Sequence, residues 1–486
     1  MRRLRALLNA SVPLYFVGSI LVLAVGAGVA LLGAMVYAER GGGAPVLSSV
    51  GHGVRAFGNG TYELFRSVYE TSRQVDRETH ANLIEPVDFR LDDDLAPVRT
   101  AAGIDLAGVH VRHTAAASAG WRVVVGMFEL DGERVHAALA LDREMTVRHV
   151  WHLHEQGIEV PEGVEVQTPF YKFPHGFALL RDGSVVFGFD HGKSLRRFDV
   201  CGREQWTRIG GYHHAVTYDP ATDSVWALRA GPTAEPGAPI DENFRDYIVE
   251  LDAADGRTLR EFHLHDIMAA NPDIDVLGIR QVDDATRDVP KWSHDPHHMN
   301  DVDPLPAALA DRFPGFEPHD LLLSFRSLNL VMAVDPDTAA VRWYRFGMAR
   351  RQHDPDWLPD GRILVFDNNM NRGPSRIVAV DPDTYAVDEL VDGAAYDFHT
   401  GIRGKHQRLP DGTVSITSAM QGRVFEVAPD GSVPFELVNF RDPATREEIV
   451  VVSEAHWLPS DWFAFETFPD CAAVVAERSE HAPTVE

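Results

Sequence analysis

Histidine and arginine recur in this chain at places where they could gather around an anion. "SHDPHHMNDVD" carries His294, His297, His298, Asn300 and Asp301, and "FRSLN" follows with Arg326. "QHDPDWLPDGRILVFDNNMNR" sets His353 just before one short hairpin and Arg372 just after it. "GKHQRLPDG" holds Lys405, His406 and Gln407, and "YHHAVTY" holds His213 and His214. A neutral imidazole can attack an electrophile, carry a proton or bind a metal, and a guanidinium holds oxyanions in a fixed fork of donors. Converging histidines could also hold a transition metal. Against that, there is no HExxH and no ligand spacing of the zinc-site kind.

These residues need elements that bring them together, and a repeat supplies them. "RRFDVCGREQW" from Arg196, "IVELDAADGRTLREF" from Ile248, "LVMAVDPDTAAVRWY" from Leu330, "RIVAVDPDTYAVDEL" from Arg376 and "RVFEVAPDGSVPFEL" from Arg423 share one form. Each is an apolar strand, an Asp/Pro/Gly turn and a second strand; "VHAALALDREMTVRHVW" from Val135 is a sixth copy. Asp accepts backbone hydrogen bonds within such a turn, and Gly permits positive φ. A second motif precedes the hairpins. His214, His298, His406 and His456 have Asp219, Asp303, Asp411 and Asp461 five residues on, while His175 and His353 have Asp182 and Asp360 seven residues on. Asp219, Asp303, Asp360 and Asp411 read as turn formers.

Six four-stranded units at roughly the 40–50-residue period of propeller blades predict an all-β, six-bladed β-propeller over 121–470. The alternative is a sandwich or barrel with similar hairpins. The strand around His456 lacks a following hairpin, and the hairpin at 135–151 lacks a preceding histidine strand, so the two should complete one blade. Inner strands line a propeller's channel, so the histidines opening them should meet at one mouth. An insertion at 265–297 could cover that mouth. Trp292, Tyr171 and Trp357 could stack on an aromatic ligand, although core packing is the commoner role.

The chain has 486 residues, 45% of them hydrophobic and 24% charged, with a net charge of −27. This is a globular composition whose field repels nucleic acid and anionic lipid, so an anionic ligand would need local His and Arg. Arg2, Arg3 and Arg5 precede an apolar run from Val12 to Ala38, long enough to cross a bilayer. This predicts a membrane anchor over 1–40 with a cytoplasmic N-terminus, the rest lying on the periplasmic or extracellular side of the inner membrane. "VYA" before Glu39 offers a cleavage site as the alternative. Residues 41–120 read as a linker and a juxtamembrane helical segment, the helix falling at "TYELFRSVYETSRQVDRE", and 471–486 as a tail. Cys201 and Cys471 could pair or remain two thiols.

"WSHDPHHMNDVD…LLLSFRSLN", "QHDPDWLPDGRILVFDNN" and "GKHQRLPDGTVSITSAMQGRVFEV" together resemble the bacterial arylsulfotransferases that do not use nucleotide sulfate donors, over roughly 121–465. The resemblance implies a six-bladed propeller that moves a sulfuryl group from an aryl sulfate to a phenol through a sulfated histidine. It implies no cofactor and no metal, since each sulfuryl oxygen carries only partial charge. It casts His298 and His353 as active-site histidines and Arg372 as the sulfuryl holder. His406 is favoured as nucleophile, with His353 in reserve. Asn300, Arg326, His214 and His175 are the remaining expected substrate contacts. Two other classes stay open: a non-catalytic, membrane-tethered scaffold of the envelope, and a metal-dependent hydrolase or lyase.

Overall fold

Apolar alternation and Asx turns build the blades as the repeat suggested. Asp182 accepts the Ser184 N–H at 2.9 Å, Asp219 that of Ala221 at 2.9 Å, Asp360 that of Arg362 at 3.2 Å and Asp411 that of Thr413 at 2.9 Å. The computed structural model describes residues 84–161, 173–190, 192–231, 246–277 and 297–471, with two short strands, Val282–Asp284 and Lys291–Trp292, between the last two stretches.

Six antiparallel sheets form a ring. Blade 1 runs through strands Pro174–Leu179, Val185–Phe189, Ser194–Phe198 and Glu204–Ile209, and blade 2 through Gly211–Asp219, Ser224–Ala230, Asp246–Asp252 and Thr258–His263. Blade 3 comprises Met299–Pro304, Leu321–Phe325, Leu330–Val334 and Val341–Phe346. Blade 4 comprises His353–Trp357, Ile363–Asp367, Arg376–Val380 and Val387–Asp392. Blade 5 comprises Lys405–Arg408, Val414–Ser418, Arg423–Val427 and Phe435–Asn439. Blade 6 closes the ring as expected. Its inner strand, Val452–Leu458, comes from the end of the chain and pairs with Trp121–Leu130, which continues into Glu133–Leu141 and Thr146–His152. The six inner strands touch in sequence around the axis, blade 6 meeting blade 1.

Each neighbouring pair of blades shares a buried apolar cluster. Phe187 and Val185 of blade 1 meet Val123, Val125 and Trp151 of blade 6, and Phe366 and Leu364 of blade 4 meet Ile416 and Phe425 of blade 5. A fully buried side chain of this kind contributes about 1.5–3 kcal/mol relative to exposure. The ring is therefore held by its interfaces, which fixes where the inner strands point.

Several expectations change. Residues 84–120, assigned to a linker and a helical segment, form short strands. Val109–His113 extends blade 5 beyond Phe435–Asn439, and Ala96–Pro97 pairs outside it. Unpaired strand edges seek a partner, and the outer edge of blade 5 finds this one. Asp303 is not a turn former; it lies within the inner strand of blade 3, whose following loop begins only after Pro304. His456 does not lead its strand but sits inside Val452–Leu458. Cys201 and Cys471 form a disulfide, so the start of the expected tail is tied to blade 1. Ahead of it, Phe463 and Phe468 pack edge-on against Trp121, with ring centroids 5.4 Å away in each case.

The insertion opens with a helix, Leu264–Ala270, whose Leu264 and Ile267 join the core between blades 2 and 3. Trp357 is buried against Phe313, as core packing required. The apolar run Val12–Ala38, the helix expected at 61–78 and Tyr171 lie outside the described residues, as do the side chains of 278–296, including Trp292. Among the described residues no helix is long and apolar enough to cross a membrane.

Candidate active site

The inner strands are irregular where the site forms. Register shifts occur between His213 and Val216 in blade 2, Met299 and Asp301 in blade 3, His353 and Asp356 in blade 4, and Val452 and Glu454 in blade 6. A β-bulge bends a strand and re-aims a side chain. Here the bulged residues His214, Asn300, Asp354 and Ser453 all line one axial cavity, with His175, His353, Lys405 and Glu454. His214 and Asp354 take left-handed backbone, with φ of 55° and 52°, and His298 does so just ahead of its strand at 48°. Residues other than glycine adopt that region uncommonly, aspartate and histidine more readily than most, and it recurs at turns and at functional sites.

Four histidines form the upper tier. The rings of His175 and His214 are 4.6 Å apart, and those of His214 and His298 are 4.9 Å apart. His353 is fixed by its partners. Asn368 donates its amide hydrogens to the carbonyls of Thr400 (2.8 Å) and Arg403 (2.6 Å), so its Oδ1 faces His353 Nδ1 at 2.6 Å and Nδ1 must carry the proton. The remaining lone pair on Nε2 accepts the Arg403 N–H at 3.2 Å.

Two guanidinium groups bear on this tier. Arg403 lies over the Phe173 ring, 3.1 Å from its centroid, and 3.5 Å from the Asp190 carboxylate. Burial, then Arg403, His353 and Lys405, hold His175 well below the ordinary histidine value. Burial, then Arg326, do the same to His353. Burial and the neighbouring histidines depress His214 likewise. His175, His214 and His353 are thus held neutral, and the nearby guanidinium groups suit the place to an anion.

An acidic tier lies beside them. Lys405 Nζ is 2.5 Å from Asp354 and 3.6 Å from Asp301. Burial opposes the charge on Lys405, but Asp301 and Asp354 outweigh it and keep its pKa well above normal. Burial, only partly offset by Lys405, pushes Asp301 up to about 7. Burial and neighbouring carboxylates also raise Asp303 and Asp356. Asp354, Asp356 and His406 offer ligand atoms within 4.8 Å of one another, a geometry a divalent cation could use. The Lys405 ammonium already neutralises Asp354 there.

The expected residues divide as follows. His175, His214, His298, His353 and Asn300 come together, and Arg326 bears on His353. His406 does not line the cavity. Its fully buried ring binds Asp354 through Nδ1 at 2.8 Å and packs edge-on near Phe366. Strand alternation turns Lys405 to the axis and therefore His406 into the interblade core. Arg372 is exposed in the loop between the second and third strands of blade 4. The guanidinium groups acting on the histidines are Arg326 and Arg403. Sequence reading missed Arg403, although "RGKH" places it beside a recognised motif, and it missed Asp354 and Glu454, which only the bulges reveal.

A wider hollow is lined by Met370, Gly401, Ile402 and Met420, with Glu85, Pro86, Asp88, His399 and Gln421. Ile402 directly precedes Arg403, so the two spaces share one loop.

A family model described as arylsulfotransferase (ASST) matches residues 176–441. No curated protein matches the chain. Among solved structures, a protein of unknown function from Bacteroides caccae shares 12% identity, over 70% of this chain and 99% of its own, with a TM-score of 0.44. A streptogramin B lyase shares 11% identity over 71% of this chain and 88% of its own, with a TM-score of 0.36. Virginiamycin B lyase from Staphylococcus aureus shares 10% over 56% and 72%, with a TM-score of 0.32. Likenesses this distant say nothing about activity.

Proposed function

The chain belongs to the arylsulfotransferase (ASST) family, and on that premise we propose that it moves a sulfuryl group from an aryl sulfate to a phenol at the axial cavity, through a sulfated histidine. One observation carries the reading: neutral imidazoles from blades 1, 2 and 4 meet in one cavity, with Arg403 acting on His175 and Arg326 on His353. Sulfuryl transfer needs those parts. The attacking nitrogen must have a free lone pair. Fixed donors must face the three sulfuryl oxygens as charge moves toward the leaving phenol. The phenol, with a reference pKa of about 10, departs as a tolerable anion.

In this reading Arg403 and Arg326 hold the sulfuryl oxygens, with Asn300 and Lys405 at the cavity wall. The aryl ring occupies the hollow beside Ile402, where Met370 and Met420 supply adaptable apolar contact. His353 is poorly suited to attack, because both its ring nitrogens are engaged.

Steady-state transfer from 4-nitrophenyl sulfate to phenol tests the proposal. Parallel double-reciprocal lines, unaffected by a chelator, are expected from a covalent intermediate. Turnover that vanishes with chelator and returns with a divalent cation would favour instead the metal reading that Asp354, Asp356 and His406 allow.

A further inference from the structure

The hollow lined by Met370, Ile402 and Met420 has a wall that the blades do not supply. Ile84–Pro86 pairs antiparallel with Glu448–Val450, and Glu85, Pro86 and Asp88 thereby line the hollow. All three precede residue 176, where the match to the family model begins. The volume is about 270 Å³. Small-molecule pockets usually span roughly 300–1,000 Å³, so this one suits a single substituted ring.

Two kinds of surface meet here. Met370, Ile402, Met420 and Pro86 are apolar, and methionine adapts to the outline of a ring. The other kind is acidic. Glu85 is half-buried and Asp88 exposed, and among the described residues neither pairs with a basic side chain. Asp88 is nonetheless held in place, because Gln421 Nε2 donates to its Oδ1 at 3.0 Å. The same buried amide donates to the Asp397 carbonyl at 2.8 Å. Its Oε1 accepts the His399 N–H at 3.1 Å and the Ser418 hydroxyl at 2.6 Å. One glutamine thus ties the acidic segment to the loop that follows blade 4. Fixed carboxylates without a basic partner draw a cation from solution, and the net charge of −27 adds a field of the same sign.

That loop also serves the axial cavity. His399, Gly401 and Ile402 line the hollow. Asn368 holds the carbonyls of Thr400 at 2.8 Å and Arg403 at 2.6 Å, and the Arg403 N–H donates to His353 Nε2 at 3.2 Å. A ring against Ile402 therefore lies one residue along the chain from a guanidinium assigned to the sulfuryl oxygens.

We propose that the hollow selects phenols that carry an ammonium group, the ring resting on Met370, Ile402 and Met420 and the cation facing Glu85 and Asp88. This rests on the sulfuryl-transfer reading above and names its acceptor class. A neutral substituent gains only the apolar contact. An anionic one meets two carboxylates and is disfavoured. Two exposed ion pairs correspond to a preference of roughly 2- to 30-fold.

The experiment compares tyramine, tyrosol and 4-hydroxyphenylacetate on the full chain. They share a 4-hydroxyphenyl ring and differ in the charge of a short side chain, which is positive, neutral and negative at neutral pH. With 4-nitrophenyl sulfate as donor, kcat/KM should fall in that order. The tyramine-to-tyrosol ratio should lie in the range above at low salt. It should approach one at about 0.5 M salt, where exposed charges are screened. It should do the same in the double variant Glu85→Gln, Asp88→Asn, in which the asparagine keeps an oxygen for Gln421. Equal kcat/KM for tyramine and tyrosol in wild type, or a ratio that neither salt nor the variant moves, refutes the selection while leaving the transfer reaction intact. Calorimetric titration with the same three phenols reads binding apart from turnover. Tighter binding of tyramine than of tyrosol, weakened in the variant but without transfer to any phenol, would keep the cation site and refute the sulfotransferase reading. Neither transfer nor a preference in binding would refute both.

Discussion

Replacing Asp354 by asparagine probes the polar layer that sets the cavity's shape. Asp354 is 5% exposed and adopts φ of 52°, a conformation asparagine tolerates well, so the change removes charge without adding backbone strain. One carboxylate oxygen takes Lys405 Nζ at 2.5 Å; the other takes the His406 backbone N–H at 2.6 Å and His406 Nδ1 at 2.8 Å. These bonds tie blade 4 to blade 5. Burial alone would raise the Asp354 pKa, but Lys405 and His406 hold it well below the carboxylate range. Breaking a buried ion pair from one side costs about 3–5 kcal/mol. Lys405 retains Asp301 at 3.6 Å, and Asp301 is relieved of a like charge, so the lower end, about 3 kcal/mol, is expected.

Equilibrium urea denaturation measures the difference. The sign of its pH dependence follows from the depressed pKa. The carboxylate's contribution is fully present above its unfolded value of about 3.9 and is lost as pH falls through the folded value. The part of the gap between wild type and Asp354→Asn that Asp354 itself supplies should therefore persist from pH 8 to 5 and be lost only in stronger acid. A gap under about 0.5 kcal/mol at pH 7 would refute the reasoning.

Because His175, His214 and His353 are held well below the ordinary histidine value, the acid limb of kcat/KM should lie below pH 6.5; a limb at or above 6.5 would show that the reacting imidazole is not one of them. Asp301 is raised to about 7, so it stabilises the fold at low pH and ceases to do so as pH climbs from about 4 to 7; the stability of Asp301→Asn relative to wild type should rise over that range in urea titrations. Gly404 has φ of +117°, and an added Cβ would enter the Phe366 ring between blades 4 and 5. Gly404→Ala should then cost roughly 2–6 kcal/mol from strain and overpacking together, read as a large fall in melting temperature.

The ring was legible in the chain because its signals are local. "DPDT", "PDG" and "ADG" turns sit between apolar strands, and one strand and one hairpin were left over at opposite ends to close it. The histidines at or beside the strand starts of blades 1, 3 and 4 were legible for the same reason, since a strand start is marked by sequence, whereas His214 lies inside Gly211–Asp219. What stayed hidden depends on pairing between strands. A one- or two-residue bulge changes which side chain faces the axis, and nothing in "YHHAVTY" or "QHDPDW" records the register of the neighbouring strand. His406 shows the error most clearly. It was read as leading its strand, but Lys405 leads, and the period of two sends the histidine into the interface with blade 4. Arg403 comes from a loop, where neither periodicity nor turn chemistry announces its direction.

The central claim is that the axial cavity holds a sulfuryl group covalently between donor and acceptor. Intact-mass measurement of protein mixed briefly with excess aryl sulfate, then with phenol, tests it most directly. The expected result is a gain of one SO₃ per chain that disappears when phenol is added and aryl sulfate of the acceptor forms. Protein that consumes the donor while its own mass never changes would contradict the account.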